Sequence, residues 1–204
     1  MAQVLIVDHD EYARFSLLNL FQLADIDARG FGTGAELFGS ADLGSPGCLL
    51  LDANLPDING FYVQQRLATH GYSLPIVFMT GDATIPMAVE AMKRGACDFL
   101  LKPLDDAAVL DAVRCAMHRD SAARALAAEQ ALTRRLIETL TRREREVMKY
   151  VVVGDLHKQI AHRLDVSEMM VKIHRSRMMK KMEVGSLIQL IKKLDLVCAK
   201  STYR

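Results

Sequence analysis

Residues 49 to 60, LLLDANLPDING, constrain the fold more than any other stretch. Three leucines end in an aspartate and are followed by Asn, Pro, Asp and Gly, the pattern of a buried strand that stops in a sharp turn. Asp52 therefore stands at the carboxyl end of that strand. In an open parallel α/β sheet, ligands bind at the carboxyl ends of the strands, and a carboxylate placed there can attack a phosphoryl group to give an acyl phosphate. A strand-ending aspartate alone is only a turn former, so Asp52 gains meaning from what else reaches the same edge.

The first half of the chain brings three more such groups. Residues 3 to 8, QVLIVD, read as a short strand ending in Asp8, with His9, Asp10 and Glu11 behind it. Residues 12 to 24 have helical spacing, with Phe15, Leu18 and Phe21 or Leu17 and Leu20 on one face. A weak strand at 27 to 31 and a short helix at 35 to 43 precede the 48 to 52 strand, and a helix at 61 to 70 follows it. Residues 75 to 80, PIVFMT, give a fourth strand, 85 to 94 a helix, 98 to 101 a fifth strand closed by Lys102-Pro103, and 105 to 118 a last helix. Five strands alternating with five helices through short connections predict a parallel sheet covered on both faces. Asp8, Asp52, Thr80 and Lys102 then converge on one edge. A nucleophilic carboxylate, a second acid able to help hold Mg²⁺, a hydroxyl and an ammonium are what phosphoryl transfer to Asp52 needs.

Charge divides the chain of 204 residues, whose net charge is +1, into two parts. Residues 1 to 120 carry 8 Lys and Arg against 16 Asp and Glu, a net −8; residues 121 to 204 carry 18 against 9, a net +9. An acidic and a basic part suggest two domains with different partners, the basic one suited to nucleic acid. No apolar run approaches a membrane span, and MAQVLIVDHDE meets acidic residues too early for a signal peptide, so a cytoplasmic protein is expected. Cys48, Cys97, Cys115 and Cys198 lack metal-type spacing and read as reduced thiols.

From Ser121 the Ala-rich run SAARALAAEQALTRRLIETL has no Gly or Pro, and its weak periodicity (Leu126, Leu132, Leu136, Leu140) predicts a helical spacer able to continue the preceding helix. Thr141 and Glu144 form a capping box for a helix with Val147, Tyr150 and Val151 on its buried face, ended by Gly154. Residues 157 to 164 make a second helix, Asp165-Val166 a turn, and Ser167 the N-cap of a third helix reaching about residue 182. Ser186 and Gln189 cap a fourth, with Leu187, Leu190, Ile191 and Leu194 as its stripe. The tight pair around Asp165 is a helix-turn-helix pattern. Its second helix carries Lys172, His174, Arg175, Arg177, Lys180 and Lys181, which suits a major groove better than a core.

Through VLIVD, LLLDANLPDING, PIVFMTG, PMAVEAMKRGACDF and LLKP, residues 3 to 118 resemble the receiver domain of two-component response regulators. The resemblance implies a flavodoxin-like α/β domain with a five-stranded parallel sheet of order 2-1-3-4-5. It also implies Asp52 as phospho-acceptor, Thr80 and Phe99 as a switch pair, Lys102 as phosphate partner before a cis Pro103, and a sensor histidine kinase as donor. Mg²⁺ would be held by Asp8, Asp52 and Asn54. The family usually has two adjacent acids after strand one, the second a metal ligand, and here His9 takes that position. Imidazole is a poor ligand for Mg²⁺, which leaves Asp10 as the candidate replacement.

Residues 140 to 196 resemble the LuxR/FixJ-type DNA-binding domain, an all-α four-helix helix-turn-helix unit. By that pattern Lys172, Ile173 and Ser176 face bases, while Lys158, His174, Arg175 and Arg177 contact phosphates; Ser167 opens the recognition helix, and the last helix dimerises. Met169-Met170 stands where the family has Lys or Arg followed by Thr, and Met170 is expected to pack on the scaffold helix. Together these give a receiver at 1 to 120, a linker at 121 to 139 and a DNA-binding domain at 140 to 204. The implied protein is a transcriptional regulator, not an enzyme. It would be switched by phosphorylation of Asp52, dimerise on activation, bind a pseudo-palindromic promoter site and work with RNA polymerase. One alternative is a degenerate receiver acting without phosphate, suggested by His9. A remote one is an aspartyl-phosphate phosphatase, which would lack its general acid because Asn54 stands where haloacid-dehalogenase-like enzymes have Asp.

Overall fold

The structure is a computed structural model that describes residues 2–82 and 84–198, the side chain of Cys198 excepted. The chain divides into two compact units, Met1–Ala123 and Arg124–Arg204.

In the first unit β1 (Gln3–Val7), β2 (Ala28–Phe31), β3 (Gly47–Asp52), β4 (Ile76–Thr80) and β5 (Asp98–Leu101) form one parallel sheet in the order β2-β1-β3-β4-β5. Between them run α1 (Glu11–Leu23), α2 (Gly34–Ser40), α3 (Gly60–Thr69) and α4 (Ile85–Lys93), and α5 (Asp106–Glu138) follows the last strand. Every residue of β3 is buried, as expected for a central strand covered on both faces. Successive side chains go to opposite sides: Leu49 and Leu51 join Val63, Leu67 and Phe78 in one core, while Cys48 and Leu50 join Phe21, Met79 and Val113 in the other. Each buried leucine contributes roughly 2 kcal/mol, so sliding β3 by one residue would forfeit several such terms and lose the placement of Asp52.

Several local expectations shift. On α1 the buried pair is Leu17 and Phe21, four residues apart, while Phe15 is 62% exposed. The helix expected at 35 to 43 ends at Ser40, because Ala41 turns extended and the Asp42 side chain instead accepts from the N–H of Gly44 and the hydroxyl of Ser45. The last helix of the first half and the helical spacer run together as α5, 33 residues long, since nothing in its Ala-rich sequence breaks it. Its second half is more than a spacer. Gln130 and Thr133 are buried, and Leu136 and Ile137 pack on the core of the second unit, whereas Leu126 and Leu132 are exposed.

The second unit adds α6 (Arg142–Val153), α7 (His157–Leu164), α8 (Glu168–Lys181) and α9 (Leu187–Cys198). The capping box opens α6: Glu144 N–H donates to Thr141 Oγ1, and Thr141 N–H donates to Glu144 Oε2. Gly154 closes the helix in the left-handed region at φ 95°, a conformation in which a side chain would be strained. Val147, Val151, Ile160, Val171, Met178 and Leu190 form one core, with Tyr150 at its edge. Among the described residues no helix is long and apolar enough to cross a membrane. Cys48, Cys97 and Cys115 are free thiols, and burial pushes the Cys48 thiol up to about 12, so it stays protonated. The side chain of Cys198 lies outside the described residues.

Candidate functional site

Asp8 follows β1, Asp52 and Thr80 end β3 and β4, and Lys102 follows β5, so all four meet at the carboxyl edge of the sheet. Asp8, Asp52 and Thr80 are almost wholly buried. Lys102 Nζ donates to Asp8 Oδ2 at 2.7 Å and to Asp52 Oδ2 at 2.8 Å. Burial would lower the Lys102 ammonium, but its hydrogen bonds to Asp52 and Asp8, with their charge, outweigh that and hold it above its ordinary value. Lys102 therefore stays charged and offsets the repulsion between two buried carboxylates. The remaining oxygens are held by the backbone: Asp10 N–H donates to Asp8 Oδ1, and Asn54 N–H donates to Asp52 Oδ1, both at 2.9 Å.

His9 is half exposed, and its Nδ1 lies 3.3 Å from Asp52 Oδ2 and 3.9 Å from Asp8 Oδ1. Asp8, His9 and Asp52 each turn a ligand atom into one cluster, all within 4.8 Å of one another. Asp10 does not join them. Its carboxylate caps α1 by accepting from the N–H groups of Tyr12 and Ala13. Asn54 is exposed and reaches the site through its backbone N–H. Thr80 Oγ1 accepts from Asp82 N–H at 3.2 Å. Phe99 is partly buried with its ring 6.2 Å from that of Phe78, and the Lys102-Pro103 bond is cis.

Close approach fixes one residue of the turn. A Cβ on Gly60 would lie 2.7 Å from the Asp52 carbonyl oxygen and 3.0 Å from Ala53 Cα. Gly60→Ala is therefore expected to push the backbone that carries Asp52 and to destabilise the first unit by about 1–3 kcal/mol. A lower urea midpoint checks it; an unchanged midpoint contradicts the tight contact.

Three supporting residues had no role in the sequence reading. Asp57 accepts from the N–H groups of Gly34 and Ala35 and so braces α2 against the turn after β3. Those hydrogen bonds, against the effect of burial, hold its carboxyl below the usual carboxylate range. Arg14 Nη1 donates to the Asp8 carbonyl at 2.6 Å, and buried Asp120 accepts from Gly47 N–H at the start of β3.

In the second unit α7 and α8 pack together around Asp165, whose φ of 53° makes the tight turn. Val171, Met178 and Met182 are the buried stripe of the α8 segment. Helical spacing then places Lys172, Ile173, Ser176 and Arg177 on the outward side, where Lys172, Ser176 and Arg177 are exposed and Ile173 is half-buried. Lys158 on α7 is exposed. Ser167 caps α8, its Oγ accepting from Met170 N–H. His174 and Arg175 are only half-exposed, and Arg175 borders a hollow shared with Gly154, His157 and Leu187, away from Lys172 and Ser176. Met170 departs from expectation. It is 40% exposed, as it lies on the first turn of α8 beyond the buried stripe.

Residues 4–114 match the response regulator receiver domain family, and residues 138–194 match the luxR family of bacterial regulatory proteins. The chain is 42% identical over 191 residues to Nodulation protein W of Bradyrhizobium diazoefficiens, covering 94% of this chain and 84% of that protein. It is 34% identical to the transcriptional regulatory protein FixJ of Azorhizobium caulinodans, covering 92% and 89%. The solved structure of response regulator StyR superposes with a TM-score of 0.86 at 34% identity, covering 95% of this chain and 98% of that one. The chain belongs to the response regulators that join a receiver domain to a LuxR-type DNA-binding domain. It is thus a two-component transcriptional regulator and not an enzyme.

Receiver domains bind Mg²⁺ through acidic side chains. Here Asp8 and Asp52 supply two carboxylates, and an imidazole nitrogen stands third. That donor set fits a divalent cation, though not the all-oxygen preference of Mg²⁺.

Proposed function

We propose that the protein is switched by phosphorylation of Asp52 from a sensor histidine kinase and then binds promoter DNA as a homodimer. The observation that carries this reading is Lys102 Nζ shared between Asp8 and Asp52 at 2.7 and 2.8 Å, with Thr80 buried on the adjacent strand end. An Asp52 oxygen attacks the phosphorus of a phosphohistidine, the P–N bond breaks, and the leaving imidazole takes up a proton. Asp8 and Asp52, with Asn54 beside them, would hold a divalent cation, which would supply further positive charge for the phosphoryl oxygens. Lys102 follows the phosphate. The Thr80 hydroxyl donates to a phosphoryl oxygen, and the space it leaves is taken up by Phe99.

Repacking there acts on a face that carries exposed Ile85, Val89 and Met92 on α4 and Leu101 at the end of β5. Exposed apolar side chains gathered on one face suit a protein contact, and we take this face as the dimer surface of the active state. We assign the receiver to residues 1 to 120, the linker to 121 to 139 and the DNA-binding domain to 140 to 204, acting in the cytoplasm where RNA polymerase is met. Incubation with acetyl phosphate and a divalent cation, followed by mass spectrometry and light scattering, tests the switch. One phosphoryl group per chain and a doubled mass in solution are expected. Phosphorylation without dimerisation would reject this coupling. No phosphorylation at all would favour a receiver working without phosphate, for which His9 beside Asp52 is the specific observation.

On DNA, Lys172, Ile173 and Ser176 read bases, Lys158, His174, Arg175 and Arg177 hold phosphates, and Ser167 caps the reading helix. Lys172→Ala is expected to relax sequence preference with a loss of about 1–3 kcal/mol on the operator. Lys158→Ala should weaken all sequences alike and lower the salt slope by about one. Titration of operator and scrambled duplexes at several salt concentrations separates the two; the opposite pattern would reverse the orientation of α8.

A further inference from the structure

We propose that the cluster of Asp8, His9 and Asp52 is a mixed nitrogen and oxygen site that takes a first-row transition divalent cation, such as Mn²⁺, in preference to Mg²⁺. Three features carry this. His9 Nδ1 is turned toward the carboxylates, 3.3 Å from Asp52 Oδ2 and 3.9 Å from Asp8 Oδ1. A cation with ligand bonds of about 2.1 Å sets neighbouring donors about 3.0–3.4 Å apart, so the imidazole and Asp52 already have that spacing and Asp8 needs only a small adjustment. Among the described residues the cluster includes no third carboxylate, and Asp10, the neighbouring acid, is committed to the first turn of α1. Finally, Lys102 sits on the Oδ2 atoms of both aspartates. Its positive charge penalises either divalent ion alike, so the choice between them falls to the imidazole nitrogen, which favours a transition ion.

The proposal concerns the site taken above as the phosphorylation site, yet it is read from metal binding alone. Its failure and the failure of the phosphorylation switch are therefore separate results. The full chain is titrated with Mn²⁺ and with Mg²⁺ by calorimetry, and bound Mn²⁺ is examined by pulsed electron paramagnetic resonance for coupling to an imidazole nitrogen. Wild type is expected to bind Mn²⁺ more tightly than Mg²⁺ by at least about tenfold, with nitrogen coupling. In His9→Asp the coupling should vanish, Mg²⁺ affinity should rise and the gap between the metals should narrow. The variant also controls for the other histidines: coupling that persists in it would place the metal elsewhere and overturn the proposal. Equal affinities of wild type for the two ions, or bound Mn²⁺ without nitrogen coupling, would overturn it as well.

Discussion

Asp52→Asn is expected to end the response to acetyl phosphate, leaving a folded protein that neither gains mass nor dimerises nor binds operator more tightly. Asparagine keeps the shape of the side chain and one oxygen able to accept from Lys102 or from Asn54 N–H, so the local hydrogen bonds survive in part. What it loses is the nucleophilic oxygen that forms the acyl phosphate. In wild type that group would add about two negative charges beside Lys102 and Thr80, which the proposed switch uses to reorganise the site. On the proposed mechanism, two receivers joined through the face around Ile85, Val89 and Leu101 would bring two α8 helices to half-sites about 34–36 Å apart. Linking two such contacts raises affinity about 10²-fold or more with no new contact to DNA. A shift of that size needs only a few kcal/mol of preference for the active state. Light scattering and operator titration of both proteins, with and without acetyl phosphate, measure it. Equal dimerisation and equal binding by wild type and Asp52→Asn would remove phosphorylation from the mechanism.

How much of this was legible in the sequence depended on whether the interaction was local. β3 and the placement of Asp52 follow from an apolar run cut off by a turn, and the sheet order followed from the resemblance carried by those motifs. The capping box at Thr141 and Glu144 is likewise a three-residue pattern, found as read. Asp57 bracing Gly34 and Ala35, or Asp120 holding Gly47 N–H, has no local signature, because sheet register and helix packing bring together residues 22 to 73 positions apart. Asp10 does carry a local signal: an aspartate just before a helix is a preferred N-cap, and that role takes it away from the metal cluster. The packing of the second half of α5 was illegible for a different reason. Its Ala-rich run and weak leucine periodicity show no buried stripe, yet tertiary packing buries the polar Gln130 and Thr133. The substitution at His9 was visible, but only the folded chain turns its Nδ1 toward Asp52.

In the second unit the largest effect is expected from Lys181→Met. Glu144 is 2% exposed, and its Oε2 accepts from Lys181 Nζ at 2.7 Å and from Thr141 N–H at 2.8 Å. Lys181 also donates to the Thr139 carbonyl, so one ammonium ties α8 to the segment that leads into α6. Burial works to raise the Glu144 carboxyl, but the hydrogen bond and charge of Lys181, together with the Thr141 N–H, more than offset it and hold the group below its ordinary value of 4.5. Methionine keeps the stem and removes the charge, leaving a buried carboxylate with a single donor, a loss of about 2–3 kcal/mol at neutral pH. The sign with pH follows from the folded value lying below the unfolded one. The stabilisation is fully present above the ordinary carboxylate range and disappears as pH falls through the lower folded value, where Glu144 is protonated in both states. Wild type and variant should therefore differ most near neutrality and converge in acid. Hydrogen exchange of the α6 and α8 amides reads this within the second unit alone. Equal protection of the two proteins at neutral pH would show that the ion pair contributes nothing, and a gap that widened in acid would mean that Glu144 is not the group Lys181 stabilises.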